Sequence, residues 1–285
     1  MTDTHTLQNR FSGARRYILD EELAKIVTIS MALEMPLLLK GEPGTGKTML
    51  AHAIAENLKM PLIVLNVKSS MKLVEALYQY DTLTRLNDSR FGDSSRDVSN
   101  IEDYLRMGKI GQAFTAEKRT VLLIDEIDKA DTDFQDDMLD VLDQMQFDII
   151  ETDKTISARY RPVIIITSNA KKDLSDPFLG RCNFHHIAFP DPKMMRKIIG
   201  VHFPDIDDTL AENAISTFYR LRDLDAIEKR PATRELINWI RALQADSDFK
   251  PKSLAKGEVP YLGVLFKKSQ DHSRAQDGLN RRGRF

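Results

Sequence analysis

The sequence predicts an α/β fold, with a parallel sheet flanked by helices and a smaller helical domain after it. Three observations support this prediction. A glycine-rich stretch at residues 41–48 joins a short apolar run to a helical pattern. Two further apolar runs, at 121–124 and 162–166, end in polar residues, as buried parallel strands do when they open into a crevice. From residue 191 onward the strand pattern stops and helical periodicity takes over.

The glycine-rich stretch has the spacing of a phosphate-binding loop. In such a loop the glycines let backbone N–H groups surround an anion, the lysine reaches the outer phosphates, and the final hydroxyl holds Mg²⁺. The run at 36–40 before it predicts a strand, and 47–59 predicts a helix, whose N-terminus favours phosphate. We therefore expect a bound nucleoside triphosphate with Mg²⁺. The expected contacts are Gly41, Glu42, Pro43, Gly44, Thr45, Gly46, Lys47, Thr48 and Met49.

The composition excludes several classes of protein. With 285 residues, 42% of them apolar, the chain can bury a core, so global disorder is not expected. Its 41 basic and 43 acidic residues give a formal charge of −2, which provides no overall basic bias towards nucleic acid. No apolar stretch is long enough to cross a bilayer and no signal-peptide pattern is present. Because Cys182 is the single cysteine of the sequence, an internal disulfide is ruled out, and we expect a cytoplasmic protein. Cys182 itself is expected to be a buried residue.

Polar residues follow the two later apolar runs. The run at 121–124 leads into Asp125 and Glu126. We expect Asp125 to hold Mg²⁺ and Glu126 to orient and deprotonate the attacking water, although a solvated acidic turn explains the pattern alone. The run at 162–166 leads to Asn169, whose amide could touch the γ-phosphate or the water. An Asn after a strand is otherwise a turn former.

In their order and detail these motifs resemble the AAA+ ATPases. Their details resemble the MoxR branch, and within it the ATPases associated with carbon monoxide dehydrogenase maturation. The resemblance covers most of residues 15–270 and is densest at 41–51, 78–88, 121–131, 166–182 and 230–239.

The resemblance implies a role for several individual residues. It makes Lys47 and Thr48 the phosphate-loop lysine and magnesium ligand, Asp125 and Glu126 the magnesium aspartate and catalytic glutamate, Asn169 sensor 1, Arg181 an arginine finger, and Arg234 the sensor 2 arginine. Asn66 is similar to the polar residue that restrains the catalytic glutamate. Tyr17 and Ile18 precede the first helix and are expected to contact adenine. The alternatives are that Arg181 is an ordinary surface arginine and that Arg234 is a solvent-exposed residue in the first turn of its helix.

We divide the chain into a nucleotide-binding core at 1–190, a helical lid at 191–266 and a polar tail at 267–285. The tail is expected to be frayed, and a nucleic-acid arm is the alternative. More than fifty residues separate the strands at 62–66 and 120–124, so the core carries an insertion at about 71–118. The resemblance places such an insertion against the ring's pore or a partner, and a solvated loop, centred on 88–97, is the alternative.

Three local features complete the prediction of secondary structure. Residues 146–161 predict a hairpin, which is either a pre-sensor hairpin that transmits nucleotide state or a plain structural one. Thr132 and Thr209 are predicted to cap helices. A lid helix is expected to begin at Thr233 or Arg234 and could swing Arg234 onto the phosphates.

Together with the resemblance, which supplies the choice of ATP and the ring, the motifs favour Mg-dependent ATP hydrolysis by a homo-oligomeric ring that remodels or matures a partner complex. The resemblance implies six subunits, a partner with a von Willebrand A-type domain and a metalloenzyme client. Two other functions stay open. A nucleic-acid motor of the clamp-loader or helicase type is disfavoured by the absence of net basic charge. A nucleotide-gated scaffold would use slow hydrolysis only to reset binding.

Overall fold

The computed structural model describes residues 17–18, 21–92, 96–169, 172–225 and 227–282. The chain divides into two compact units, Met1–Gly41 with Gly46–Ile187, and Glu42–Thr45 with Ala188–Phe285. The second unit thus begins near the boundary expected at residue 191. It also includes Glu42–Thr45, a segment of the phosphate-binding loop that the sequence analysis assigned to the core.

The first unit contains a five-stranded parallel sheet. Its strands, in chain order, are β1 (Leu37–Lys40), β2 (Leu62–Asn66), β5 (Val121–Asp125), β8 (Val163–Ser168) and β9 (Asn183–His186). Their order across the sheet is β2-β5-β8-β1-β9, and every neighbouring pair is parallel. The α/β class with a parallel sheet is therefore confirmed. The carboxyl ends of β5, β8 and β1 lie side by side.

Both faces of this sheet are covered, which explains the unbroken apolar runs. Alternate side chains of a strand point to opposite faces. Leu37 and Leu39 accordingly join one buried cluster, while Leu38 joins another. The same alternation holds along β5 and β8. The flanking helices in this unit are α1 (Glu21–Leu33), α2 (Lys47–Leu58), α3 (Leu73–Leu77), α4 (Thr82–Phe91), α5 (Lys109–Phe114), α6 (Thr132–Gln144) and α7 (Asp176–Gly180).

The region predicted as an insertion is largely regular structure. It contains α3, α4 and α5, a 3₁₀ turn at Ile101–Tyr104 and the antiparallel pair β3 (Tyr78–Tyr80) and β4 (Leu105–Met107). The loop expected at 88–97 is wrong at its start, because 88–91 form the last turn of α4, which Gly92 ends in a left-handed conformation. Residues 93–95 of that loop lie outside the described residues.

A second antiparallel pair, β6 (Gln146–Ile149) and β7 (Lys154–Ser157), occupies the position of the predicted hairpin. It is attached to the insertion by aromatic packing and a hydrogen bond. The rings of Tyr78 and Phe147 stack with centroids 6.2 Å apart, and the Tyr78 hydroxyl accepts a hydrogen bond from the Ile150 N–H at 3.2 Å. The hairpin and the insertion are therefore packed together in the first unit.

The second unit is helical and has its own apolar core. Its helices are α8 (Pro192–His202), α9 (Asp208–Arg222), α10 (Thr233–Ala245), α11 (Lys252–Ala255), α12 (Leu262–Leu265) and α13 (Ser269–Arg282). Trp239, Phe218 and Leu236 are fully buried in that core. None of the helices in the described parts of either unit is long and apolar enough to cross a membrane.

Three local predictions are corrected by the structure. The frayed tail is wrong for 269–282, which form α13, because Asp271 and Ala275 on that helix are buried. Residues 283–285 lie outside the described part. The caps of α6 and α9 are Asp131 and Asp207 rather than Thr132 and Thr209, since a carboxylate accepts from the third residue on in each case.

Candidate active site

The glycine-rich loop follows β1 and ends where α2 begins. Gly44 and Gly46 adopt left-handed backbone conformations, with φ of +81° and +95°. Only glycine takes these angles without strain, so the sequence spacing is needed for the bend. Lys47 is 6% exposed, and its Nζ donates to the Gly41 carbonyl at 2.7 Å. The ammonium group thus binds the first residue of the loop. Its predicted contact with the phosphates stays a prediction.

The carboxylate of Asp125, at the end of β5, accepts hydrogen bonds from two threonine hydroxyls. The Thr48 hydroxyl donates to Asp125 Oδ1 at 3.0 Å, and the Thr167 hydroxyl on β8 donates to the same oxygen at 2.6 Å. Hard oxygen ligands of this kind suit Mg²⁺, which takes its remaining ligands from water and phosphates. The donor set of Thr48 and Asp125 therefore fits the predicted magnesium ion, which would contribute positive charge against the phosphates.

Glu126 lies immediately after β5 with a left-handed φ of +61°. Its N–H donates to the Thr167 hydroxyl at 2.9 Å, and its Oε1 accepts from the Asn169 side-chain amide at 2.8 Å. Its Oε2 forms an ion pair with Lys129, and the hydrogen bond to Glu126 raises the pKa of Lys129. Both carboxylate oxygens of the predicted base are therefore engaged.

Lys129 was not predicted at this site, where Asn66 was expected to restrain Glu126. Asn66 lies exposed at the end of β2, opposite Asp125 in the register. The partners that the structure gives to the Glu126 carboxylate are Asn169 and Lys129. The spacing of Glu126 and Lys129 was the available signal, because residues three apart in a helical turn are neighbours.

Tyr17 and Ile18, the predicted adenine contacts, are both partly buried. The Tyr17 ring lies against Gly46, since a Cβ on that glycine would be 3.2 Å from the ring. Tyr17 is thus beside the last glycine of the loop. Its contact with a base stays a prediction.

Arg181 lies just after α7 and faces α6. Its Nη1 is 3.3 Å from Asp140 Oδ1, and its Nε is 2.9 Å from Asp143 Oδ2. The side chain is 41% exposed. The predicted finger is therefore a surface residue held by two carboxylates of its own chain.

Arg234 occupies the second position of α10 in the second unit and is exposed. The helix begins where expected. Ala232 is its N-cap, and the Glu235 carboxylate accepts from the Ala232 N–H at 3.1 Å. The role of Arg234 at the phosphates stays a prediction.

Arg222, at the end of α9, was not singled out from the sequence. It is 5% exposed, and its Nη1 donates to the Pro231 carbonyl at 2.7 Å. Its guanidinium lies 3.5 Å from the centroid of the Phe189 ring and forms an ion pair with Glu42 of the same unit. No sequence motif marks this residue, because its partners are distant in the chain.

Comparison with known proteins assigns most of the first unit to one protein family. Residues 37–190 match the profile of the family described as ATPase family associated with various cellular activities, or AAA. Lon protease of Mycoplasma mobile is 31% identical over 160 residues, which are 51% of this chain and 16% of that protein. The 26S proteasome regulatory subunit 10B of Dictyostelium discoideum is 30% identical over 141 residues, 45% of this chain and 30% of that protein.

The chain therefore spans less than a third of the length of these two curated relatives. Among solved structures, a mutant of RuvB from Thermotoga maritima aligns with a TM-score of 0.54 and 18% identity. That alignment covers 88% of this chain and 72% of the other. At this identity the likeness establishes the fold alone.

Proposed function

Since the chain belongs to the AAA family of ATPases, we propose that it binds ATP with Mg²⁺, hydrolyses it, and uses the cycle to remodel or mature a partner protein complex. The observation that supports the chemistry best is a continuous set of contacts. Thr48 and Thr167 both donate to Asp125, Thr167 also receives the N–H of Glu126, and Glu126 receives the amide of Asn169.

Each group in this set has a distinct task in phosphoryl transfer. The reaction spreads negative charge over the γ-phosphate, so catalysis consists mostly of positioning and of stabilising that charge. In the proposal Lys47 supplies positive charge at the outer phosphates, and Thr48 and Asp125 hold the magnesium ion. Glu126 takes a proton from the attacking water, and Asn169 holds Glu126 and the γ-phosphate in register.

Two arginines complete the proposed mechanism. Arg181 of one subunit would act at the nucleotide of its neighbour, and a finger of this kind is worth about 10³–10⁵ in rate. Arg234 would act from α10. The rate of hydrolysis per subunit should then rise with protein concentration, and a rate that is independent of dilution would refute a finger acting between subunits.

The finer assignment rests on the sequence resemblance. We propose a MoxR-type ATPase that forms a homo-oligomeric ring, of six subunits by analogy. Its proposed partner carries a von Willebrand A-type domain, and its client is a metalloenzyme. A pull-down with the Glu126→Gln variant in the presence of ATP tests the identity of the partner, because that variant should hold ATP without consuming it.

The rival functions are tested by different readouts. The fold-level likeness to RuvB gives no argument for a nucleic-acid motor, and the formal charge of −2 speaks against one. Stimulation of ATP turnover by DNA would favour that motor. Turnover far slower than nucleotide exchange would favour a scaffold that uses hydrolysis only to reset binding.

The central experiment compares three variants for ATP affinity and turnover. Lys47→Ala should lose ATP binding, whereas Glu126→Gln should bind ATP and lose about 10²–10⁴ in kcat, the usual contribution of a general base. Glu117→Gln, at an exposed position, is the matched control and should behave as wild type. Equal turnover by Glu126→Gln and wild type would overturn the catalytic assignment.

A further inference from the structure

Helix α6 carries five aspartates, and three of them contact the segment that ends at Arg181. Asp136, Asp140 and Asp143 are spaced by four and three residues, so they form a single row along the helix. Other residues of α6, including Phe134 and Met138, are buried in the core of the first unit. We call the three aspartates the acidic row.

The acidic row contacts the segment that carries Arg181. Asp136 Oδ1 accepts from the Ser175 hydroxyl at 2.7 Å, and Ser175 is the N-cap of α7. Asp140 and Asp143 bind Nη1 and Nε of Arg181. Phe178, in the middle of α7, is fully buried. The segment is thus attached to α6 at both ends.

The main effect of the two carboxylates on Arg181 is to orient its guanidinium group. Their effect on the stability of the fold is smaller. A guanidinium is a flat group with five donors at the end of a flexible side chain. Contacts at Nε and Nη1 restrict both the position and the plane of that group, while 41% of the side chain stays exposed. Exposed ion pairs contribute little to folding stability.

Helix α6 also lies close in sequence to the predicted base. It begins at Thr132, six residues after Glu126, and the intervening turn contains Lys129, which is paired with Glu126. The Glu126 turn and the aspartates that bind Arg181 thus belong to one continuous segment of the first unit.

We propose that Asp140 and Asp143 are positioning residues, which hold the guanidinium of Arg181 in the direction needed to meet the nucleotide bound to a second copy of this chain. This inference rests on the proposed function and deepens it. It assigns to Asp140 and Asp143 the orientation of the arginine that one subunit offers to its neighbour.

The test is a mixing experiment with full-length variants. Glu126→Gln retains the arginine and lacks the base, whereas Arg181→Ala retains the base and lacks the arginine. Each alone should be nearly inactive. Their equimolar mixture should recover ATP turnover at least about tenfold above either, since an arginine finger is worth about 10³–10⁵.

The acidic row is then changed only in the subunit that donates the arginine. Adding Asp140→Asn and Asp143→Asn to the Glu126→Gln variant should lower the recovered turnover at least about fivefold, a part of the effect of the finger itself. ATP affinity and oligomer size should not change. The matched control adds Asp137→Asn, an exposed aspartate on the same helix, and should recover fully. Asp140→Glu with Asp143→Glu should rescue most of the loss.

The outcomes separate the two levels of the proposal. If the mixture recovers turnover and the Asn pair performs as well as Asp137→Asn, the positioning role is overturned while the proposed function stands. If wild type hydrolyses ATP but the mixture recovers nothing, the arginine does not act between subunits and the inference fails. A wild-type chain without ATP turnover would overturn the proposed function and this inference with it.

Discussion

The side-chain amide of Asn169 donates to Oε1 of Glu126 over 2.8 Å. This bond joins the residue after β8 to the residue after β5, two strands that are neighbours in the sheet. The predicted sensor, Asn169, is therefore bonded directly to the predicted base, Glu126.

Loss of this bond should affect turnover more than binding. We expect Asn169→Ala to lower kcat by about 10²–10³, the usual effect of removing one well-placed donor, with a change in KM of less than about threefold. Steady-state ATP hydrolysis measures both constants. Asn238→Ala, on an exposed face of α10, is the control. A rise in KM with an unchanged kcat would show that Asn169 binds substrate and does not act on the base.

Cys182 should be unreactive in the folded chain. Burial, together with the negative charge of Asp143, raises the pKa of the Cys182 thiol from 9.0 to about 12. Because the thiolate is the reactive form, a thiol reagent at pH 8 should label the protein only after unfolding. Rapid labelling of the native chain would contradict the burial of this residue.

Because the pKa of Cys182 is raised, the free energy of unfolding should vary with pH in the alkaline range. The folded thiol keeps its proton above pH 9, whereas the unfolded thiol loses it, so stability falls as pH rises from 9 towards 12. At pH 10 the loss should be about 1.4 kcal/mol, as the unfolded pKa lies one unit lower. Denaturant titrations of wild type and Cys182→Ala at pH 8 and pH 10 measure it. An equal loss in both proteins would show that Cys182 is not its source.

Asp271 should be essential to the stability of the second unit. It is fully buried, and its two oxygens accept from the N–H groups of Glu228 and Lys229 at 2.9 and 3.1 Å. Burial alone would raise its pKa, but these two donors and the nearby charges of Lys268 and Arg274 lower it overall. Its contribution is therefore present above the ordinary pKa and is lost only as pH falls through the lower folded value.

We expect Asp271→Ala to lower the free energy of unfolding by about 2–4 kcal/mol, because two buried donors lose a charged acceptor. Hydrogen exchange at the amides of residues 228 and 229 should accelerate. Asp277→Ala, an exposed aspartate on the same helix, should change neither quantity. If both variants unfold alike, α13 is not held by Asp271.

Two glycines with similar backbones should respond differently to alanine. Gly44 and Gly92 have φ of +81° and +64°, so an alanine at either costs about 1–2 kcal/mol of backbone strain. A Cβ at Gly44 would lie 2.5 Å from the Cβ of Ala232, whereas a Cβ at Gly92 would meet nothing within 4 Å.

Gly44→Ala should therefore lose more stability than Gly92→Ala and should also weaken ATP binding, because the bend of the loop must change. Denaturant unfolding and ATP titration of the two variants make the comparison. If Gly44→Ala binds ATP as tightly as Gly92→Ala, the predicted phosphate loop does not need this bend.

The sheet and the positions of the candidate catalytic residues at its strand ends were predictable because their signals are local. The buried strands are continuous apolar runs, and Asp125 and Glu126 follow one of them directly. Parallel order then brings the ends of β5 and β8 together, which accounts for the contact of Glu126 with Asn169. The bounds of β9 were not predictable, because its polar residues resemble a loop and its pairing with β1 defines it.

The remaining features depend on contacts between distant parts of the chain. Helix α13 has few apolar residues, and its packing depends on Asp271 reaching residues 228 and 229. The pairing of Arg181 with α6 also joins segments some forty residues apart. The observed N-caps lie one or two residues before the predicted ones, because Asp131 and Asp207 are better acceptors at those positions than the threonines after them.

The left-handed backbone of Glu126 has a consequence for heat resistance. A residue other than glycine pays about 1 kcal/mol for that conformation, which for a unit of this size corresponds to about 2–4 °C in Tm. Glu126→Gly and Glu126→Ala both lose the hydrogen bond to Asn169 and the ion pair with Lys129, and both should hydrolyse almost no ATP. Only the glycine variant escapes the left-handed strain, so it should melt later than the alanine variant.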